Sequence, residues 1–244
     1  MVASGFRAVE RCDLLGGGPF SDSPDFLFRP YLGTGHVAAI AHVSDWMREA
    51  GMTTRIDAAG NLIGRYEGTG SKALVIASHI DSVRDGGKYD GPLGVMLGIE
   101  CVAALNKAGR RLPFAIEVYA FGDEEGSRFP AAMLTSRAVT GALSAEALEV
   151  ADRDGVTLAE ALKGLELSVA NFLDARRDPS EFIGYLEAHI EQGPVLEADG
   201  LALGVVTAIA AQLRFEVTIT GVAGHAGTNS MTLRKDALTA AAEA

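Results

Sequence analysis

ALVIASHIDSVRDGGKYDGPLGVMLGIECVAALNKAGRRLPFAIEVYAFGDEEGSRF, running from Ala73 to Phe129, decides the fold. Two short apolar runs, 73–79 and 114–121, have the character of strands buried on both faces, and the stretch from Leu93 to Ala108 between them is helical. Strand, helix and strand make a βαβ unit. Each run ends in a polar cluster, with His79 and Asp81 after the first and Asp123, Glu124 and Glu125 after the second. In open α/β sheets, that carboxyl edge is where ligands bind.

His79, Asp81 and Asp90 offer one imidazole and two carboxylates, donors that zinc, manganese or cobalt accept, while glycines at 86, 87, 91 and 94 let the loop fold tightly around an ion. Taken alone, the same residues also suit a polar surface loop with one hydrogen-bonded histidine. The second cluster shifts the balance toward a metal. Three carboxylates in a row repel one another unless a cation is near. A solvated acidic turn is the alternative, and the fully apolar strand before it argues against that. Consecutive glutamates can divide the labour: Glu125 binds a metal, while Glu124 stays unligated and carries a proton from the attacking water to the leaving nitrogen.

His189, in YLEAHIEQGP, offers a further imidazole ligand, with Glu187 and Glu191 as ligands or as partners fixing its tautomer; a core histidine is the other reading. His225, set between glycines in GVAGHAGTNS, is exposed at a turn and suits either a structural turn or a substrate contact. His36 and His42 lie on a helix without an acidic cluster and read as structural.

Outward from the βαβ unit, Val37, Ile40, Val43, Trp46 and Met47 recur at helical spacing between Thr34 and Ala50. TTRID and LIGRYEG flank a turn containing Gly60-Asn61 and read as a hairpin. Short helical patterns follow residue 130. Then come two β-rich runs, LGVVTAIA and LRFEVTITG, and a helical MTLRKDALTAAAEA that is still running at Ala244. The expectation is an α/β catalytic domain over 1–208 and the start of an α+β second domain over 209–244, with the chain ending inside the latter.

The chain has 244 residues, 48% of them apolar, enough for a sizeable core, and a formal net charge of −11 with no basic stripe, which excludes nucleic acid as a partner. No segment approaches the ~18 apolar residues needed to cross a bilayer, so no membrane association is expected. Cys12 and Cys101 lack paired spacing, so free thiols in a reducing, cytoplasmic compartment are expected.

Taken together, SHIDSVRDGGKYDGPLGV, FGDEEGSRF, HIEQGPVLE and GVAGHAGT resemble the amidase and carbamoylase branch of the dinuclear metallopeptidase clan, from about residue 10 to the end. The resemblance implies a mixed-sheet catalytic domain of dinuclear metallopeptidase type, a lid or dimerisation domain, and two divalent ions, manganese or zinc. It makes Asp90 the bridging ligand, places His79 and His189 on one metal and Glu125 on the other, and has Asp81 orient His79. It further makes Glu124 the general base, Gln192 a substrate contact, and His225 an oxyanion contact in a partner subunit's site, hence a homodimer.

The implied reaction is hydrolysis of a ureido C–N bond in a small acid, allantoate first, with N-carbamoyl-L-amino acids or β-ureidopropionate as alternatives. A non-catalytic remnant of the fold is the reading from another class. Asn229-Ser230-Met231 stands where relatives usually carry a proline, which puts the turn beyond His225 in doubt. The last histidine ligand and the arginine that clamps the substrate carboxylate would lie beyond Ala244, so this chain alone is expected to be nearly inactive.

Overall fold

The computed structural model describes residues 4–210 and 215–243. In chain order its helices and strands are α1 (Gly5–Leu15), α2 (Thr34–Glu49), β1 (Thr53–Ile56), β2 (Leu62–Tyr66), β3 (Ala73–His79), α3 (Pro92–Lys107), β4 (Ala115–Phe121), α4 (Leu134–Thr140), α5 (Leu158–Leu162), β5 (Phe182–Leu186), α6 (Val195–Ala198) and α7 (Ala237–Glu243). The chain divides into two compact units, Met1–Gln192 and Gly193–Ala244. This break lies ahead of the 208/209 boundary expected from the sequence.

In the first unit the strands form one mixed sheet in the order β1-β2-β4-β3-β5. The hairpin β1–β2 and the pair β2–β4 are antiparallel, whereas β4–β3 and β3–β5 are parallel. β3 and β4 pair along their whole length, from Ala73 opposite Ala115 to His79 opposite Phe121, so the polar clusters that follow them emerge side by side.

Strand alternation divides the apolar side chains between two faces. Ile116, Val118 and Ala120 of β4 join Ala39, Ile40, Val43 and Met47 of α2 and Val95, Ile99 and Val102 of α3 in the main core. Ile63, Val75, Ala77 and Tyr119 cluster on the other face. Between them on that face, Glu117 is held by Arg65 at 2.8 Å and Arg177 at 3.1 Å, so its buried charge is paired. The short helices after residue 130 build a further core around Phe129, Leu134, Leu158, Leu162 and Phe172.

α1 was not legible as an element in advance. Ser4 caps it by accepting from Arg7, and Ala8, Cys12 and Leu15 form its buried stripe. Arg7 and Arg11 clasp the buried Glu100 of α3 at 2.6 and 3.0 Å, which fixes α1 on that helix. β5 was likewise missed, being short and interrupted by Gly184.

In the second unit, the β-rich runs expected from sequence show no strand pairing in their described residues, 203–210 and 215–221; Leu213 and Arg214 lie outside the described residues. A strand exists only through a hydrogen-bonded neighbour, and Leu203, Val205, Ile209 and Phe215 are all strongly exposed. The terminal helix begins at Ala237, later than its pattern suggests, because the Asp236 carboxylate caps it by accepting from the Leu238 and Thr239 amides.

Candidate metal centre

The site is assembled at the carboxyl ends of three adjacent parallel strands. His79 closes the central β3, Glu124 and Glu125 follow β4 on one side, and His189 follows β5 on the other. Asp90 comes from the loop between β3 and α3. Two glycines make this approach feasible. Gly91 sits at φ +85°, and a Cβ there would lie 2.5 Å from His79 Nδ1; a Cβ at Gly94 would lie 2.3 Å from the Ala188 carbonyl, blocking the segment that carries His189.

His79 is almost wholly buried, and its Nε2 stands 3.4 Å from Nε2 of His189. Asp90 Oδ1 lies 3.6 Å from His79 Nε2 and 3.2 Å from His189 Nε2. The opposite ring nitrogens both face acceptors: His79 Nδ1 meets the Asp81 carbonyl at 3.2 Å, and His189 Nδ1 meets the Ile190 carbonyl at 3.0 Å. In the neutral form that a metal ligand must take, each ring would carry its proton on Nδ1 toward these acceptors and turn an Nε2 lone pair toward one carboxylate oxygen. Such a set of donors, without a hydrogen among them, fits a divalent cation.

The carboxylates complete the cluster. One ligand atom each from His79, Asp90 and His189 lie within 4.8 Å of one another, and so do one each from His79, Glu124 and Glu125. His79 thus belongs to both groupings. Glu124 Oε2 is 3.9 Å from His79 Nε2 and its side chain is half exposed, open to a substrate or water. Asp81 is fully buried and accepts from the backbone amides of Glu124 and Glu125, 3.1 Å to each, with Oδ1 at 3.4 Å from His79 Nδ1. It therefore ties the β3 loop to the β4 turn and lies against the Nδ1 side of the imidazole.

The charges are out of balance without a cation. Burial works against a charged His79, yet the carboxylates of Asp81, Asp90 and Glu124 outweigh it and hold the ring's pKa up at about 10. Burial raises Glu125 to about 7, eased by the charge of His79 and reinforced by its acidic neighbours. Burial, with repulsion from Asp81, lifts Asp123 to about 8.

Gln192 donates from Nε2 to Asp90 Oδ2 at 2.7 Å, so it reaches the cluster through the carboxylate shared by both histidines. Glu187 turns away toward β3 and β5, accepting from Ser78 at 3.0 Å and Tyr185 at 2.7 Å. His225 belongs to the other compact unit, where it is exposed and its Nδ1 accepts from the Gly227 amide at 3.1 Å. His36 and His42 stand apart from the cluster; His42 packs edge-on against Trp46. Sequence reasoning passed over Arg29, whose side chain is wholly buried beside the 80–82 segment; a lone arginine in a loop gives no pattern that would mark it.

The model of peptidase family M20/M25/M40 matches residues 75–244. An N-carbamoyl-L-amino acid amidohydrolase of Geobacillus stearothermophilus is 50% identical over 203 residues, covering 82% of this chain and 50% of that protein. An allantoate deiminase of Arabidopsis thaliana is 43% identical over 243 residues, covering 97% of this chain and 46% of that protein. Among solved structures, a hydantoinase/carbamoylase family amidase from Burkholderia ambifaria superposes with a TM-score of 0.76 at 36% identity, covering 99% of this chain and 58% of that one. The chain spans about half the length of the curated relatives it matches.

Proposed function

Because the chain belongs to peptidase family M20/M25/M40, we propose that it carries the metal-binding half of a hydrolase that cleaves the ureido C–N bond of a small acid, with allantoate as the first substrate and N-carbamoyl-L-amino acids as the second. The observation that carries the reading is the convergence of His79 Nε2 and His189 Nε2 on Asp90 Oδ1. Support for the choice of bond comes from relatives named for allantoate and for N-carbamoyl-L-amino acids.

His79, Asp90 and His189 would hold one ion, and Asp90 with Glu125 would contribute to a second, zinc or manganese in either place. A divalent ion held there supplies a Lewis acid that polarises the carbonyl to be attacked. The chain's own residues supply the rest. Glu124, half exposed beside His79, takes a proton from the attacking water and passes it to the leaving nitrogen. Asp81 keeps His79 in its Nδ1–H form, and Gln192, held on Asp90, lies where a substrate amide or carboxylate would compete for its NH₂. His225 is assigned the role of oxyanion donor across a homodimer.

Ammonia release from allantoate and N-carbamoyl amino acids, and free amino acid release from a dipeptide, test this, using protein expressed from its full coding sequence with added manganese or zinc. Metal-dependent release from a ureido acid and none from the dipeptide is the expected result. A preference for the N-carbamoyl amino acid selects the second substrate, and release from the dipeptide alone contradicts the proposal.

A further inference from the structure

Arg29 has no exposed surface, although it sits in the irregular segment between α1 and α2 and carries a full charge. A buried guanidinium is costly unless its donors are used; here Nε is used on the metal loop and Nη1 on the end of α1 and the segment that follows it, while Nη2 has no hydrogen-bond partner among the described residues. Its Nε donates to the Ile80 carbonyl at 2.5 Å, and Nη1 donates to the carbonyls of Leu15 at 2.7 Å and Phe20 at 3.1 Å. Its backbone amide donates to Ser82 Oγ at 2.9 Å, and the Ser82 amide donates back to the Arg29 carbonyl at 3.0 Å. Arg29 therefore grips both neighbours of Asp81.

Asp81 in turn is the residue on which the site's geometry depends. It accepts from the amides of Glu124 and Glu125 and contacts His79 Nδ1 with both its carbonyl and its carboxylate. The same N-terminal segment braces the loop at a second point, where Asp13 of α1 accepts from Lys88 at 2.7 Å and Tyr89 at 2.8 Å, just before Asp90.

We propose that Arg29 is a positioning residue of the metal centre: by fixing the Ile80 carbonyl and pairing with Ser82 it sets the backbone of Asp81, and through Asp81 the direction of His79 Nε2 and the Glu124–Glu125 turn. The proposal rests on reading the cluster as a metal site. An arginine suits this work because its planar fork reaches carbonyls on separate segments at once, which a lysine ammonium on a flexible stem does not.

The test is binding of cobalt(II), whose visible absorption reports ligand geometry, by the protein and by its Arg29→Lys variant, each with a thermal melt in the absence of metal. Loss of an outer-shell partner weakens metal binding by about 10- to 100-fold, and that loss, with a changed cobalt spectrum, is expected of a folded Arg29→Lys. A folded variant with unchanged affinity and spectrum overturns the proposal. Should Arg29→Lys fail to fold, Ser82→Ala, which removes only a hydroxyl, decides: cobalt affinity lowered about threefold or more supports the role, and unchanged affinity overturns it. Absence of cobalt binding by the unsubstituted protein would instead overturn the metal-centre reading, and this role with it.

Discussion

Nε2 of His79 and Nε2 of His189 stand 3.4 Å apart although 110 positions separate them in the chain, and Asp90 Oδ1 lies against both. The sheet brings them together, because β3 and β5 are parallel neighbours whose carboxyl ends open on the same edge. Replacing either histidine with alanine should therefore lower affinity for zinc or manganese by at least about 100-fold, the upper end of what outer-shell losses cost. Equilibrium dialysis with metal analysis measures this, and unchanged binding by both variants would contradict it.

Glu124→Gln should separate metal binding from turnover. Its side chain is half exposed and lies 3.9 Å from His79 Nε2, where the proposed proton carrier would stand beside the proposed ligands. A positioned general base contributes about 10²- to 10⁴-fold, so kcat should fall by that factor while metal content is retained. Loss of both together would make Glu124 a ligand.

Gly91→Ala should damage the site through the backbone. The residue sits at φ +85°, and its new methyl would lie 2.5 Å from His79 Nδ1. That backbone conformation, φ +85° and ψ −61°, costs a residue with a side chain about 1–3 kcal/mol, and the clash adds to it. Both melting temperature and metal affinity should drop; a variant losing neither would show that the loop has other ways to close.

Much of this was written in the sequence because it is local. The apolar runs at 73–79 and 115–121 and the helix between them follow from hydrophobic patterning, and the clusters after them follow from where each run ends. What patterning could not convey is partnership. LGVVTAIA has the composition of a strand but no ladder neighbour among the described residues, whereas Phe182–Leu186 becomes a strand because β3 offers an edge. Arg29 and Glu100 belong to no motif or pattern; their burial and the carbonyls or guanidinium groups around them emerge only when distant segments pack.

Acid stability should carry a contribution from His36. Its ring is buried, neither nitrogen has a partner among the described residues, and burial, with repulsion from Arg29 and Arg128, pushes its pKa down to about 3. The folded value lies below the unfolded value of about 6.5, so below that pH the unfolded chain takes up a proton that the folded chain refuses. Stability from this group is thus complete above about pH 6.5 and is lost at up to about 1.4 kcal/mol per pH unit toward pH 3. Urea melts at pH 7 and 4.5 should show a smaller difference for His36→Gln than for the unsubstituted protein, and equal differences would exclude the contribution.

The most direct test of the metal centre is an anomalous difference map at the zinc edge from crystals grown with zinc. A peak about 2.0–2.2 Å from His79 Nε2, His189 Nε2 and an Asp90 oxygen is the predicted result. A map with no peak between these residues, or with zinc bound elsewhere while the two imidazoles remain in contact, would contradict the account.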